Sequence, residues 1–183
     1  MDDLQAIRQL KLGDIAGLDL LVTRYQVKGV RVAFLITHDE AQAEDIFQEV
    51  CLRIYQRIHQ YDETHPFEPY LMSSIVHAAI NLAHRDRKSV SLEQDPRNFE
   101  TLMARAASVE SVVEAAQLHH EILAALAKLT PRQRAVIVQR YYLEMSEKEM
   151  GEALAVAPGT IKWHLNSARA RMRRLLRLER SDE

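Results

Sequence analysis

Residues 146–176 read SEKEMGEALAVAPGTIKWHLNSARARMRRLL, and the way that string divides decides the fold. Ser146-Glu147-Lys148-Glu149 has the form of a capping box, in which a hydroxyl closes an orphan amide and a carboxylate reaches back to the cap. It opens a short helix running to about Leu154. Ala155-Val156-Ala157 then turns the chain, and Pro158-Gly159-Thr160 starts a second helix. Along that helix Ile161, Leu165, Ala168, Met172 and Leu175 form one narrow apolar stripe at i, i+4, i+7, i+11 and i+14. Two helices joined by about three or four residues, the second docked by a single stripe, make a helix-turn-helix. The residues left facing outward include Lys162, Trp163, His164, Asn166, Ser167, Arg169, Arg171, Arg173 and Arg174. In such a helix the first turns reach base edges in the major groove, and cations further along meet phosphates. The bland alternative is a solvated amphipathic helix with a basic tail. Trp163 has no obvious place in the stripe, and packing in the core or at the rim, or contact with DNA or a partner, all suit an indole there.

Charge supports the nucleic-acid reading only locally. The chain has 24 Lys and Arg against 26 Asp and Glu, a net charge of −2. Between Thr160 and Arg180, however, seven cations face Glu179 alone. Contact with phosphate depends on the local field, so the chain should bind DNA weakly by itself and rely on a partner to deliver it.

Working outward, Thr130-Pro131 begins another helix, with threonine as cap and proline in the first turn. A helical block from Val109 to Lys128 precedes it. From Ser89 to Ser108 the apolar periodicity fades into Ser89, Ser91, Asp95-Pro96 and Asn98, which is linker chemistry. In the first half, residues 3–12 and 16–36 carry helical spacing, and Asp39 to about Gln60 is the clearest amphipathic helix, its stripe Ile46, Val50, Ile54 and Ile58. Tyr61 to Pro66 reads as a loop, and a helix follows from about Phe67 to Arg87. The fold class is therefore all-α: two small helical domains, 1–88 and 109–183, on a flexible linker over 89–108.

Five glycines and five prolines in 183 residues agree with helix almost throughout. No apolar run of about eighteen residues implies a membrane span, and the acidic start Asp2-Asp3 is unlike a secretion signal. A lone Cys51 fits a reducing, cytoplasmic setting and is most simply a small core residue. His77 with His84, or His119-His120, lack the spacing of a metal cage, so no metal or cofactor is expected. No nucleophile motif, phosphate loop or paired carboxylates are present, so no catalytic residues are assigned.

Two motifs resemble one known family. Thr130-Pro131-Arg132-Gln133-Arg134, Tyr141, Ser146 to Gly151, Gly159-Thr160-Ile161-Lys162 and Ala168-Arg169 look like region 4 of extracytoplasmic-function sigma factors. Ala43-Glu44-Asp45-Ile46-Phe47-Gln48-Glu49-Val50 with Leu52-Arg53-Ile54-Tyr55 resembles region 2.2 of the same family. The resemblance covers nearly the whole chain, in the right order. It implies a transcription initiation factor, not an enzyme, whose partners are core RNA polymerase, promoter DNA and an anti-sigma protein. Within the polymerase, the clamp coiled coil of the largest catalytic subunit would be met by Asp45, Gln48, Glu49, Leu52, Arg53 and Gln56, and the flap region of the second-largest subunit would be a further contact. Reading of the −35 element would fall to Thr160, Lys162, Trp163, His164, Asn166, Ser167, Arg169, Arg171 and Arg173.

The segment from Tyr61 to Lys88 resembles regions 2.3 and 2.4, which open the −10 element and hold its non-template strand. Holding an unstacked base needs a pocket, aromatic faces and positive charge. The residues implied are Tyr61, Glu63, Thr64, His65, Phe67, Tyr70, His77, Asn81, Arg85, Arg87 and Lys88. The chain departs from the family pattern here, with Tyr70-Leu71 where Trp-Leu is usual and His77 and Asn81 where Asn and Asp are frequent. A common arginine near Ser167 is also missing, and Trp163 stands where serine is common. The visible start shows no acidic autoinhibitory region, which suggests control by a separate protein. Two rival readings stay open: a stand-alone helix-turn-helix regulator, and a sigma-like decoy for an anti-sigma factor.

Overall fold

A computed structural model of the chain describes residues 2–86 and 112–179; among these every regular element is helical. The chain divides into two compact units, residues 1–82 and 83–183. The linker expected over 89–108 lies outside the described residues, as do Arg87, Lys88 and Arg180.

In the first unit α1 (Asp3–Lys11) opens on a capping box. Asp2 Oδ1 accepts from the Gln5 amide at 2.8 Å, and the Asp2 amide donates to Gln5 Oε1 at 3.0 Å. It buries Ala6, Ile7 and Leu10. The long α2 (Ala16–Thr37) buries residues on most of its circumference, among them Leu21, Tyr25, Val32, Phe34 and Ile36, as a helix central to its unit must. α3 (Glu40–Gln56) is capped by Asp39, whose carboxylate accepts from the Gln42 amide at 2.9 Å. The expected stripe is present: Ile46, Val50 and Ile54 are buried in α3, and Ile58 is buried in a 3₁₀ turn (Ile58–Gln60). The amphipathic segment thus tightens after Gln56, a usual way to end a helix. α4 (Phe67–Asp86) closes the core with Phe67, Leu71, Met72, Ile75, Val76 and Ala79. Cys51 is half-buried, and desolvation pushes its thiol up to about 11, so it remains protonated packing.

The second unit contains α5 (Val112–Ala127), α6 (Pro131–Tyr141), α7 (Glu147–Leu154) and α8 (Pro158–Glu179). Its core is built from Leu126, Leu129, Ala135, Val136, Met150, Ile161, Leu165 and Ala168. Of the predicted α8 stripe, Ile161, Leu165 and Ala168 are fully buried, while Met172 and Leu175 are half-covered. Both predicted caps form. Thr130 Oγ1 accepts from the Gln133 amide at 3.2 Å, and Ser146 Oγ accepts from the Glu149 amide at 3.3 Å while the Ser146 amide donates to Glu149 Oε2 at 2.7 Å. α7 ends on Ala155 at φ 52°, and the Val156 amide donates to the Gly151 carbonyl at 3.0 Å. A Cβ at residue 151 would lie 2.9 Å from the Val156 carbonyl oxygen, so the turn between the two helices requires glycine there. Ser146→Ala removes one half of the α7 cap and should lower stability by about 1 kcal/mol, read from urea unfolding of the full chain. An unchanged midpoint would show that water replaces the hydroxyl.

Candidate nucleic-acid and polymerase interfaces

The outer face of α8 is the first candidate. Thr160, Lys162, Trp163, Asn166, Arg171 and Arg173 are exposed. Trp163 is 65% exposed, its ring meeting that of His164 edge-on at 4.9 Å, so the indole is not in the core. His164 is half-buried; that burial, and then the nearby Arg132 charge, lower its pKa, so the imidazole is neutral at pH 7. Two residues expected to face outward turn instead toward α6. Ser167 Oγ accepts from Gln133 Nε2 at 2.9 Å, and Arg169 Nε donates to the Tyr141 hydroxyl at 2.8 Å, its guanidinium 5.7 Å from that ring's centre. Both lie on the flanks of the stripe, where α6 supplies a partner within reach. On the Arg169 flank a hollow is lined by Ile122, Ile137, Tyr141, Met172 and Leu176, with Arg173 and Asn166 at its rim.

On α3, Asp45, Gln48, Glu49, Leu52, Arg53 and Gln56 are all exposed, on the side opposite Ile46, Val50 and Ile54. They stand at i, i+3, i+4, i+7, i+8 and i+11, one continuous strip of helix surface. At its centre Leu52 is 55% exposed, beside a Glu49–Arg53 ion pair of 2.7 Å. An apolar centre edged by charges is the composition of a docking patch.

The loop after the 3₁₀ turn is the third surface. Tyr61 and Phe67, expected as stacking faces, are buried. Their rings meet each other at 5.8 Å and Tyr70 at 5.2 and 6.4 Å, and Phe67 also meets Tyr25 at 5.9 Å. The Tyr61 hydroxyl donates to the His65 carbonyl, and burial raises its pKa, so it stays a donor. These two rings therefore form the floor of the loop, because flanking a short turn between helices leaves them over the core. Tyr70 is 41% exposed and presents the aromatic face. With it on the solvent side of α4 are His77, Asn81 and Arg85, at i+7, i+11 and i+15. Within the loop Thr64 and His65 are exposed, and Asp62 accepts from the Thr64 amide at 2.9 Å and hydroxyl at 2.8 Å. Glu63 turns away from the exposed edge: Oε1 meets Lys11 Nζ and Oε2 meets Arg8 Nε, each at 2.9 Å. Lys11 Nζ also donates to the Tyr61 carbonyl at 2.9 Å. The Lys11 and then the Arg8 bonds hold the Glu63 carboxyl below its ordinary range, so these links are present above the ordinary glutamate pKa and are lost only as pH falls through the lowered value. Arg8 and Lys11 had no signal in the sequence as site residues, since their partners lie more than fifty positions away.

The family model described as Sigma-70 region 2 matches residues 21–89, and that described as Sigma-70, region 4 matches residues 119–172. The chain is 28% identical over 177 residues to the ECF RNA polymerase sigma factor SigW of Bacillus subtilis, covering 93% of this chain and 95% of that one. It is 32% identical over 139 residues to the ECF RNA polymerase sigma factor SigL of Mycobacterium tuberculosis, covering 75% and 76%. Among solved structures it is similar to CnrH in complex with the cytosolic domain of CnrY, with a TM-score of 0.65 at 21% identity over 96% and 97% of the two chains. It is also similar to the sigma factor RpoE in complex with the anti-sigma factor NepR from Bartonella quintana, with a TM-score of 0.62 at 16% identity, over 87% and 96%. With both regions matched in order, and three quarters of the chain aligned at 32% identity to a member, this protein belongs to the extracytoplasmic-function sigma factors of the sigma-70 family.

Proposed function

We propose that the chain binds core RNA polymerase in the cytoplasm and directs it to promoters, acting by binding and leaving all bond-making to the polymerase. In this reading the α3 strip around Leu52 docks on the clamp coiled coil of the largest catalytic subunit. The apolar hollow beside α8 takes the flap region of the second-largest subunit. The first turns of α8 read the −35 element, and Thr64, His65, Tyr70, His77, Asn81 and Arg85 handle the opened −10 strand. The observation that carries the reading is the division of α8: Ile161, Leu165 and Ala168 are fully buried, while Lys162, Trp163 and Asn166 on the same turns are exposed. A solvated helix with a basic tail has no need of an exposed indole, because exposing one forgoes about 2 kcal/mol of burial.

The domains are assigned accordingly, 1–88 to the polymerase and −10 element, 109–183 to the −35 element. Control by an anti-sigma protein is part of the proposal; it draws on the likeness to RpoE, whose solved structure contains one.

Run-off transcription with purified core polymerase on pooled promoter fragments tests the whole scheme. Transcripts that need the chain, and disappear with Leu52→Asp, are the expected result. Silence with core binding intact would make the chain a decoy; silence without core binding, but with tight DNA binding by the free chain, would make it a stand-alone regulator.

A further inference from the structure

Helix α1 precedes the residues 21–89 matched to region 2, and nothing in the proposed function uses it. Yet two of its side chains bond the 61–66 loop. Lys11 spans two parts of the loop at once, the Tyr61 backbone carbonyl and the Glu63 carboxylate, and Arg8 takes the remaining carboxylate oxygen. Lys11 and Glu63 are only 22% and 28% exposed at their side chains, so the pair is partly dried and held on both sides, unlike the exposed Lys148–Glu152 contact at 3.9 Å. α1 itself is fixed to the unit by buried Ala6, Ile7 and Leu10, and by Asp3, which accepts from both Arg24 and the Tyr25 hydroxyl.

We propose that Lys11 and Arg8 are positioning residues for promoter opening: they hold the 61–66 loop in the shape that receives an unstacked −10 base, without touching the DNA. The inference rests on the reading of that loop as the −10 contact. Two physical effects follow from the geometry. The loop is ordered before DNA arrives, so the cost of fixing it does not fall on the binding step. The Glu63 carboxylate is paired with two cations of α1, so of the loop's two carboxylates only that of Asp62 stands unpaired with α1 where the strand's phosphates would pass.

The experiment uses holoenzyme assembled from core polymerase and the full chain, on a promoter carrying 2-aminopurine in the non-template −10 strand. Lys11→Met should lower the extent of opening about tenfold, with core binding and the thermal midpoint near those of the parent. Glu63→Gln should lower it less. The exchange Lys11→Glu with Glu63→Lys rebuilds one ion pair in reverse but loses the donor to the Tyr61 carbonyl and sets a second cation beside Arg8, so it should recover only part of the loss; a lysine that acted by touching DNA would not be rescued at all. On a promoter already unpaired across the −10 region the defect should persist as weaker strand capture. Thr64→Ala with His65→Ala serves as the control on the loop itself. If that control impairs opening while Lys11→Met and the exchange behave like the parent, the positioning role is wrong and the loop assignment survives. If neither matters, the loop is not the −10 contact and the proposal falls with it. Should Lys11→Met unfold, Arg8→Met and Glu63→Gln carry the test, and full opening in both would overturn it.

Discussion

Gly29→Val is expected to cost at least about 3 kcal/mol and to leave the N-terminal unit largely unfolded at 37 °C. Gly29 lies within α2 and faces Phe47 of α3 and Ile75 of α4. A Cβ built there would lie 2.5 and 2.7 Å from Phe47 ring atoms and 2.9 Å from Ile75 Cδ1. Two effects oppose each other in Gly29→Ala. Helix propensity favours alanine by about 1 kcal/mol, while forcing a methyl into a filled core costs about 1–3 kcal/mol. Which one wins depends on whether the neighbours can move. Phe47 is 2% exposed and Ile75 fully buried, so neither has open space to retreat into, and the clash decides the sign. Valine adds two more methyl groups to the same gap. Urea unfolding followed by circular dichroism measures the loss, and Phe47→Leu in the Gly29→Ala background should recover part of it by shortening the obstructing ring. A Gly29→Ala chain as stable as the parent would mean that α3 slides easily on α2. Transcription should fall with the folded fraction.

The features that were legible in the sequence are those set by neighbours along the chain. The stripe Ile46, Val50, Ile54 and Ile58 is buried as its spacing requires, and so are Ile161, Leu165 and Ala168. The caps at Thr130 and Ser146 are local chemistry, complete within four residues, and both form. The features that escaped depend on what lies across the fold. Tyr61 and Phe67 have the composition of stacking residues, and nothing in their spacing says that their rings close over Tyr25 and the core. Ser167 and Arg169 stand at the flanks of the α8 stripe, where periodicity leaves a residue equally able to face solvent or a neighbouring helix; Gln133 and Tyr141 settle it. The Lys11–Glu63 bond joins residues 52 apart, a separation at which pattern gives no register. Periodicity thus finds the buried side of each helix and leaves the roles of the exposed and flanking side chains to tertiary contacts.

That distinction changes what substitutions in α8 should do. Lys162→Ala with Trp163→Ala is expected to reduce −35-dependent transcription about a hundredfold, while core binding is retained. Each residue stands exposed in the first turns of the helix, so each loss removes a contact worth about 1–3 kcal/mol if it meets a base, and the tenfold-per-1.4 kcal/mol scale compounds them. Lys162→Ala alone, if it meets phosphate, should weaken binding to all sequences alike and lower the salt slope by about 1. Arg169→Ala belongs to a different class. Its guanidinium is already engaged by the Tyr141 hydroxyl and ring, so it acts chiefly by holding α8 against α6. Tyr141→Phe, which keeps the ring and removes the hydrogen bond, should then reproduce part of the Arg169→Ala defect, with little change in which −35 sequence is preferred. A selection for preferred −35 sequences, run in parallel with each variant, separates the two classes. A shifted preference in Arg169→Ala with Tyr141→Phe unchanged would mean that the arginine leaves Tyr141 to read a base, and Arg169 would then join the exposed Lys162, Trp163 and Asn166 in the recognition surface.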